Sequence, residues 1–279
     1  MRPLEESTVL VTGATDGLGR AVAERLAVQG ATVLIHGRDP ARLAAAEADI
    51  EMLAGVDRVR TYQADFASLA QVGDMAAQIR RDELELHALV NNAGIGGGTP
   101  DAQHREESQD GYELRFAVNY LAGFLLTHEL LGLLSDSAPA RVVNVASISQ
   151  APIDFDDPQI EHGYGGSRAY GQSKLAQISW GIELAGHLEG RGVTVNSLHP
   201  ATYMPTKMVR EQGSRSIDTL ESGVEATVRL ITSPEVENET GRFYDRLSEA
   251  DPHAQALDPD ARLRLWDLSA ELTGAPGPA

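Results

Sequence analysis

Cysteine is missing altogether from the 279 residues, which excludes disulfides, thiolate metal sites and cysteine nucleophiles. Missing too is any window approaching about eighteen uninterrupted apolar residues. The stretch from Met1 to Thr8 is polar and acidic, where a secretory leader would start basic and turn apolar. These absences predict a soluble, cytoplasmic protein without a membrane segment. Positive charge is scarce: 23 Lys and Arg stand against 41 Asp and Glu, a formal net charge of −18. That balance opposes nucleic acid or an anionic membrane as partner over the whole surface, yet leaves room for a local basic pocket that takes a phosphate. No metal site is expected.

The length suits one sizeable α/β domain. It is expected over residues 1–273, with a disordered Pro-Gly tail over 274–279. Thr8 to Thr12 is a short β-branched apolar run. It is followed by Gly13-Ala-Thr-Asp-Gly17-Leu-Gly19 and then by a helical pattern through Ala21, Val22, Leu26 and Ala27. Strand, glycine loop and helix in that order suit a pyrophosphate, because glycines let the backbone approach and the helix start offers free N–H groups. A merely structural glycine turn is the alternative. Ala31 to His36 reads as a second strand and Arg58 to Gln63 as a third. His87 to Val90 is a fourth, ending in Asn91-Asn92-Ala93-Gly94, where small residues leave room for a ligand. The end of the second strand faces the adenosine ribose in such folds, so Arg38 points to NADP(H) over NAD(H), with the adjacent Asp39 as a complication. Asp65 could accept from the adenine amino group or, equally, cap a helix.

The alternation predicts a parallel sheet covered by helices on both faces, with ligands past the carboxyl ends of the strands. Gly96 to Gln109 reads as a flexible loop and Gln109 to Leu134 as one long apolar helix carrying the polar Asn119. Arg141 to Ala146 is a fifth strand with Ser147 at its end, where a hydroxyl can donate to a carbonyl oxygen. Tyr170-Gly-Gln-Ser-Lys174 opens a helix whose positions four apart share a face. A lysine ammonium close to a phenol is expected to lower the phenol pKa and bring proton exchange near neutral pH within reach.

Taken together, Thr12-Gly13-x-x-x-Gly17-x-Gly19, Asn91-Asn92-Ala93-Gly94, Asn119, Ser147, Tyr170-x-x-x-Lys174 and Asn196-Ser197-Leu198-His199-Pro200 resemble the short-chain dehydrogenase/reductase family in its own order, over nearly the whole chain. Ile153-Asp154-Phe155-Asp156-Asp157, with Tyr164 and Ala169 to Ala176, resembles the retinol-dehydrogenase-like branch, which often acts on lipophilic carbonyls. The resemblance implies a single-domain Rossmann fold with a doubly wound, parallel, seven-stranded sheet. It also implies an NADP(H)-dependent oxidoreductase interconverting carbonyl and alcohol. Tyr170 would be the proton donor, Lys174 would bind the nicotinamide ribose and tune the phenol, Ser147 would orient the substrate oxygen and Asn119 would hold a water. Cofactor contacts would come from Gly13, Thr15, Asp16, Gly17, Leu18 and Gly19 in the loop. Beyond it they would come from Arg38, Asp65, Phe66, Asn92, Ala93, Gly94, Tyr170, Lys174, Pro200 and Thr202.

Some positions depart from the family pattern. Ala201 replaces a usual glycine, and Tyr203-Met204-Pro205 leaves the register open between Thr202 and Thr206 as the cofactor contact. His199 reads as a loop-packing residue, and Tyr203 to Asp218 as a mobile lid. The family suggests a homodimer or homotetramer, for which the helices after Gln109 and Arg168 would supply the apolar face. A non-catalytic dinucleotide-binding module is the other class considered; the complete Asn-Ser-Tyr-Lys set counts against it. A sugar-nucleotide epimerase would need a larger carboxyl-terminal domain.

Overall fold

The computed structural model describes residues 2–55, 57–98, 104–211 and 213–275. The β-branched runs form strands Thr8–Val11 (β1), Thr32–Gly37 (β2), Val59–Gln63 (β3), Ala88–Asn91 (β4), Ala140–Val145 (β5), Val193–His199 (β6), Phe243–Asp245 (β7) and Ser248–Glu249 (β8). Between the first five lie Gly17–Val28 (α1), Pro40–Ala54 (α2), Leu69–Asp82 (α3), Leu114–Phe116 (α4) and Ala122–Asp136 (α5). After β5 come Gly166–His187 (α6), Lys207–Glu211 (α7), Leu220–Thr232 (α8), Ala254–Leu257 (α9) and Pro259–Thr273 (α10).

Among the described residues the strands form one sheet in the order β3-β2-β1-β4-β5-β6-β7-β8. It is parallel through β7 and ends in an antiparallel β7–β8 pair. The eighth strand exceeds the expected seven because the chain turns back at Arg246, whose φ is 55°, and pairs two residues, too few to show alternation. β1 pairs with both β2 and β4, so the crossovers leave β1 and β4 in opposite directions and a crevice opens past their carboxyl ends.

Successive residues of a strand face opposite sides. Leu10, Leu34, Leu89 and Val142 therefore pack toward α3, α5, α6 and α10, whereas Val9, Val33, Ala88 and Val143 pack toward α1, α2 and α8. Trp180, Tyr120 and Phe124 are among the largest fully buried side chains of the first layer. Burying each contributes roughly 1.5–3 kcal/mol by apolar transfer. The long helix expected from Gln109 begins instead at Leu114, where the Glu113 side chain accepts from Phe116 N, and it is interrupted by a π turn over Ala117–Leu121. The span Leu114–Asp136 is long and apolar enough to cross a membrane, but 67% of its apolar window is buried inside the protein.

The helix faces expected to support an oligomer are partly covered by the chain itself. Trp266 of α10 packs at 5.8 Å from Phe124, 5.0 Å from His128 and 4.8 Å from His187. Tyr120 Oη and Ser269 Oγ meet at 2.7 Å, and Arg262 pairs with Glu183 at 2.8 Å. The carboxyl-terminal helix, whose own pattern reads simply as amphipathic, is thus seated on part of that apolar stripe. Gly274 caps α10 with φ 70° and Ala275 is 9% exposed, so the packed body runs past 273. Residues 276–279 of the expected tail, and 99–103 of the expected loop, lie outside the described residues.

Candidate active site

The glycine loop is fastened to the end of β4 by Thr12. Its hydroxyl donates to Val90 O at 3.1 Å and accepts from Asn92 N at 2.9 Å and Ala93 N at 3.0 Å. The Asn92 side-chain amide donates to Thr12 O at 2.7 Å and Gly13 O at 3.3 Å. Gly13 and Gly17 adopt φ of 65° and 56°, left-handed values that glycine alone takes at little cost. Asp16 caps α1 by accepting from Gly17 N at 2.7 Å, and its second oxygen pairs with Arg42 at 3.0 Å. Thr15 and Leu18 flank this turn: a Cβ on Gly37 would meet Thr15 Cγ2 at 2.3 Å, and one on Gly223 would meet Leu18 Cδ1 at 3.3 Å.

On the adenosine side, Arg38 is exposed at the end of β2 and makes no ion pair among the described residues. Asp39 caps α2, its Oδ1 accepting from Ala41 N at 2.9 Å and Arg42 N at 3.1 Å. Asp65 accepts from Ala67 N at 3.0 Å in a turn, and Ser68, not Asp65, caps α3. Phe66 is buried and stacks on His36. The cradle fits a dinucleotide: small residues where a Cβ would clash, a helix start, and a cation free at the ribose end.

The catalytic candidates converge at the carboxyl rim. Ser147 lies two residues past β5, its Oγ accepting from Ser149 N at 3.0 Å, and its hydroxyl influences the Tyr170 phenol. Tyr170 and Lys174 share the first turns of α6, with the ammonium 5.9 Å from the phenol ring centroid. Lys174 Nζ donates to Val145 O at 2.7 Å and to Gln177 Oε1 at 3.1 Å, and Gln177 in turn donates to Asn91 O at 3.2 Å. Asn119, inside the π turn, accepts from Ile95 N at 2.8 Å and donates to Ile95 O at 3.1 Å and Ser173 Oγ at 2.9 Å. A Cβ on Gly94 would lie 3.2 Å from Asn119 Oδ1 and 3.7 Å from Lys174 Nζ, a tight fit against the asparagine.

The electrostatics differ from the sequence expectation. Burial pushes the Tyr170 phenol up, the Ser147 hydroxyl draws it back, and the neighbouring Tyr203 phenol adds to the rise. Burial also lowers the Lys174 pKa to about 7, and its Nζ donates to the Val145 carbonyl. Desolvation disfavours both charged forms here. A lysine that titrates near 7 when folded and at 10.5 when free binds fewer protons folded than unfolded between those values. Stability therefore rises with pH across that window, with the penalty complete below it and gone above it. Lys174→Met removes the term, so its stability relative to wild type is expected to fall by a few kcal/mol, as an order of magnitude, from pH 7 to about pH 10. Urea denaturation at several pH values reads that slope; parallel curves would reject it.

The described residues from Thr202 to Asp218 adjoin the rim, with Tyr203 near the Tyr170 phenol and Thr206 against the glycine loop. Thr202 N donates to Asp218 Oδ2 at 2.6 Å, while its hydroxyl meets His199 Nε2 at 3.0 Å and accepts from Arg246 at 3.0 Å. Arg246 also pairs with Asp218 at 2.7 Å. Thr206 is the threonine that reaches the glycine loop, since a Cβ on Gly17 would meet its Cγ2 at 3.3 Å. His199 is buried beside Pro200 and Ala201 as a loop-packing residue, and burial lowers its pKa. Sequence reasoning missed Gln177, Arg42 and His36. Gln177 had a signal, standing one turn after Lys174 on the same face; the other two act across elements.

The family model for short chain dehydrogenases matches residues 7–216. Retinol dehydrogenase 14 of Homo sapiens is 36% identical over 300 aligned positions, covering 96% of this chain and 86% of that protein. Polyprenol dehydrogenase of Mus musculus is 35% identical, covering 99% and 86%. A crystal structure of an uncharacterised protein from Mycobacterium Paratuberculosis superposes with a TM-score of 0.79 at 28% identity, covering 98% of this chain and 96% of that one. With the glycine cradle and the serine, tyrosine and lysine gathered on one sheet rim, the chain belongs to the short-chain dehydrogenase/reductase family, in its retinol-dehydrogenase-like branch, and so to the NAD(P)-dependent oxidoreductases.

Proposed function

We propose that this enzyme uses NADP(H) to interconvert a lipophilic carbonyl and its alcohol, with Tyr170 as general acid in reduction and general base in oxidation. The observation that carries the reading is the gathering of Ser147, Tyr170 and Lys174 at the rim beside the glycine loop, with the Lys174 ammonium 5.9 Å from the Tyr170 ring centroid. Ser147 Oγ donates to the substrate oxygen and polarises it, and Tyr170 Oη gives that oxygen its proton as the C–H bond forms. The bound cofactor supplies or accepts the hydride. Lys174 and Gln177 hold the floor of the site, and Asn119 fixes the Ile95 backbone beside it. The lipophilic part of the reading rests on Ile148, Tyr203 and Ile217, which are 51%, 45% and 67% exposed on the segment that carries Ser147 and the one from Thr202 to Asp218. It rests also on relatives named for retinol and polyprenol.

The test is oxidation of NADPH against a panel of aldehydes and ketones graded by chain length, with turnover expected to rise with apolar length. Arg38 favours the 2′-phosphate, so NADPH is expected to bind at least about tenfold more tightly than NADH, as one charge-assisted contact allows. Arg38→Ala should erase that difference. Equal affinities in the wild type would defeat the NADP(H) assignment without touching the fold.

A further inference from the structure

His36 is the penultimate residue of β2 and only 3% exposed, and neither ring nitrogen is idle. Nδ1 accepts from Gly13 N at 3.1 Å, and Nε2 lies 3.0 Å from Ala64 O. An amide N–H can only donate and a carbonyl can only accept. The partners therefore assign one neutral tautomer, with the proton on Nε2. The ring is further fixed by stacking on Phe66, centroids 4.1 Å apart and planes inclined by 16°. Its own carbonyl accepts from Ala14 N at 2.9 Å. One residue thus bonds to the first two amides of the glycine loop and to the end of β3, the two walls between which the adenosine half of a dinucleotide must lie.

We propose that His36 is a positioning residue for the cofactor: by accepting the Gly13 N–H in a single tautomer, it sets the turn of the glycine loop at a fixed distance from the wall at Ala64 and Phe66. Gly13 N belongs to the first turn residue after the strand and Thr12, and its amide has no strand partner to hold it. Without the imidazole acceptor, a buried donor would be left unpaired at the point where the backbone must curl with φ 65°. Protonating Nδ1 would set two donors against each other. Burial opposes that, holding the imidazole down at about 4 against the Ala64 carbonyl and the Asp65 carboxylate, which favour the charged form.

The inference rests on the loop holding a dinucleotide, and three variants separate its failure from that of the cofactor reading. His36→Asn keeps an acceptor where Nδ1 stands and loses the stack. His36→Phe keeps the stack and loses both bonds. His36→Gln keeps a donor where Nε2 stands but offers Gly13 nothing. NADPH and NADH affinities would be measured by quenching of the intrinsic fluorescence, alongside melting temperatures. The Asn variant is expected to bind within about threefold of wild type, and the Phe and Gln variants at least about tenfold more weakly. A residue that merely packs would give the opposite order, with Phe the mildest change. Phe or Gln binding as tightly as wild type overturns the proposal, as does Asn binding as weakly as they do. If Phe does not fold, the Asn and Gln pair decides. A wild-type protein that binds neither dinucleotide would instead defeat the cofactor reading.

Discussion

Tyr170→Phe is expected to lower turnover by about a thousandfold or more, while NADPH affinity stays within about threefold of wild type. The substitution removes one oxygen and keeps the ring, so the packing of α6 at the rim is preserved. What disappears is the proton proposed for the substrate oxygen. Two nearby groups are already engaged: Tyr164 is held by Glu113 at 3.0 Å and Arg115 at 2.7 Å, and His199 is held by Thr202. Steady-state rates beside a fluorescence titration of NADPH check both halves. Undiminished turnover would remove Tyr170 from the reaction, and lost cofactor binding would give it a structural role instead.

Gly13→Ala is expected to weaken NADPH and NADH binding by about a hundredfold or more and to lower the unfolding free energy by about 2–5 kcal/mol. Two penalties add. A non-glycine residue in the left-handed region costs about 1–2 kcal/mol. The added Cβ would also stand 2.8 Å from Ala93 Cα, a backbone atom that can retreat only by moving the end of β4, an overpacking of about 1–3 kcal/mol. That retreat would pull on Asn92 and Thr12, the bonds that shape the cradle. Gly73→Ala is the matched control: it lies within α3 with nothing within 4 Å of its Cβ, and is expected to stabilise by about 1 kcal/mol without changing either affinity. Urea denaturation and dinucleotide titration of the two variants decide it. Wild-type affinity in Gly13→Ala would mean that the loop is a turn and no more.

Much of this architecture was legible because its signals are local. β-branched runs alternating with helical stretches announce a parallel sheet, and Gly13, Gly17 and Gly19 announce the turn that opens α1. Ser147, Tyr170 and Lys174 were legible as types at spacings. The direction in which Lys174 points was not, since it depends on the carbonyl of Val145, twenty-nine positions away. The π turn at Asn119 hid because one extra residue in a helical pattern hardly disturbs its apolar period. His36 and Arg42 carry no motif: their roles arise only when β2 and α2 are laid beside the glycine loop. Thr202 and Thr206 could not be told apart along the chain, because Arg246, which engages the first, arrives forty-four residues later.

The segment from Thr202 to Asp218 has its two feet tied together. Thr202 and Asp218 exchange hydrogen bonds, Asp218 N donating to Thr202 O at 3.0 Å, and Ile217 N donates to Tyr203 O at 3.1 Å. A segment clasped at its base can be altered in length or side chain between its feet at small entropic cost to the sheet beneath. Altered reach toward bulkier or slimmer compounds could therefore be engineered between those feet, with the clasp bearing the strain that would otherwise fall on β6 and α8.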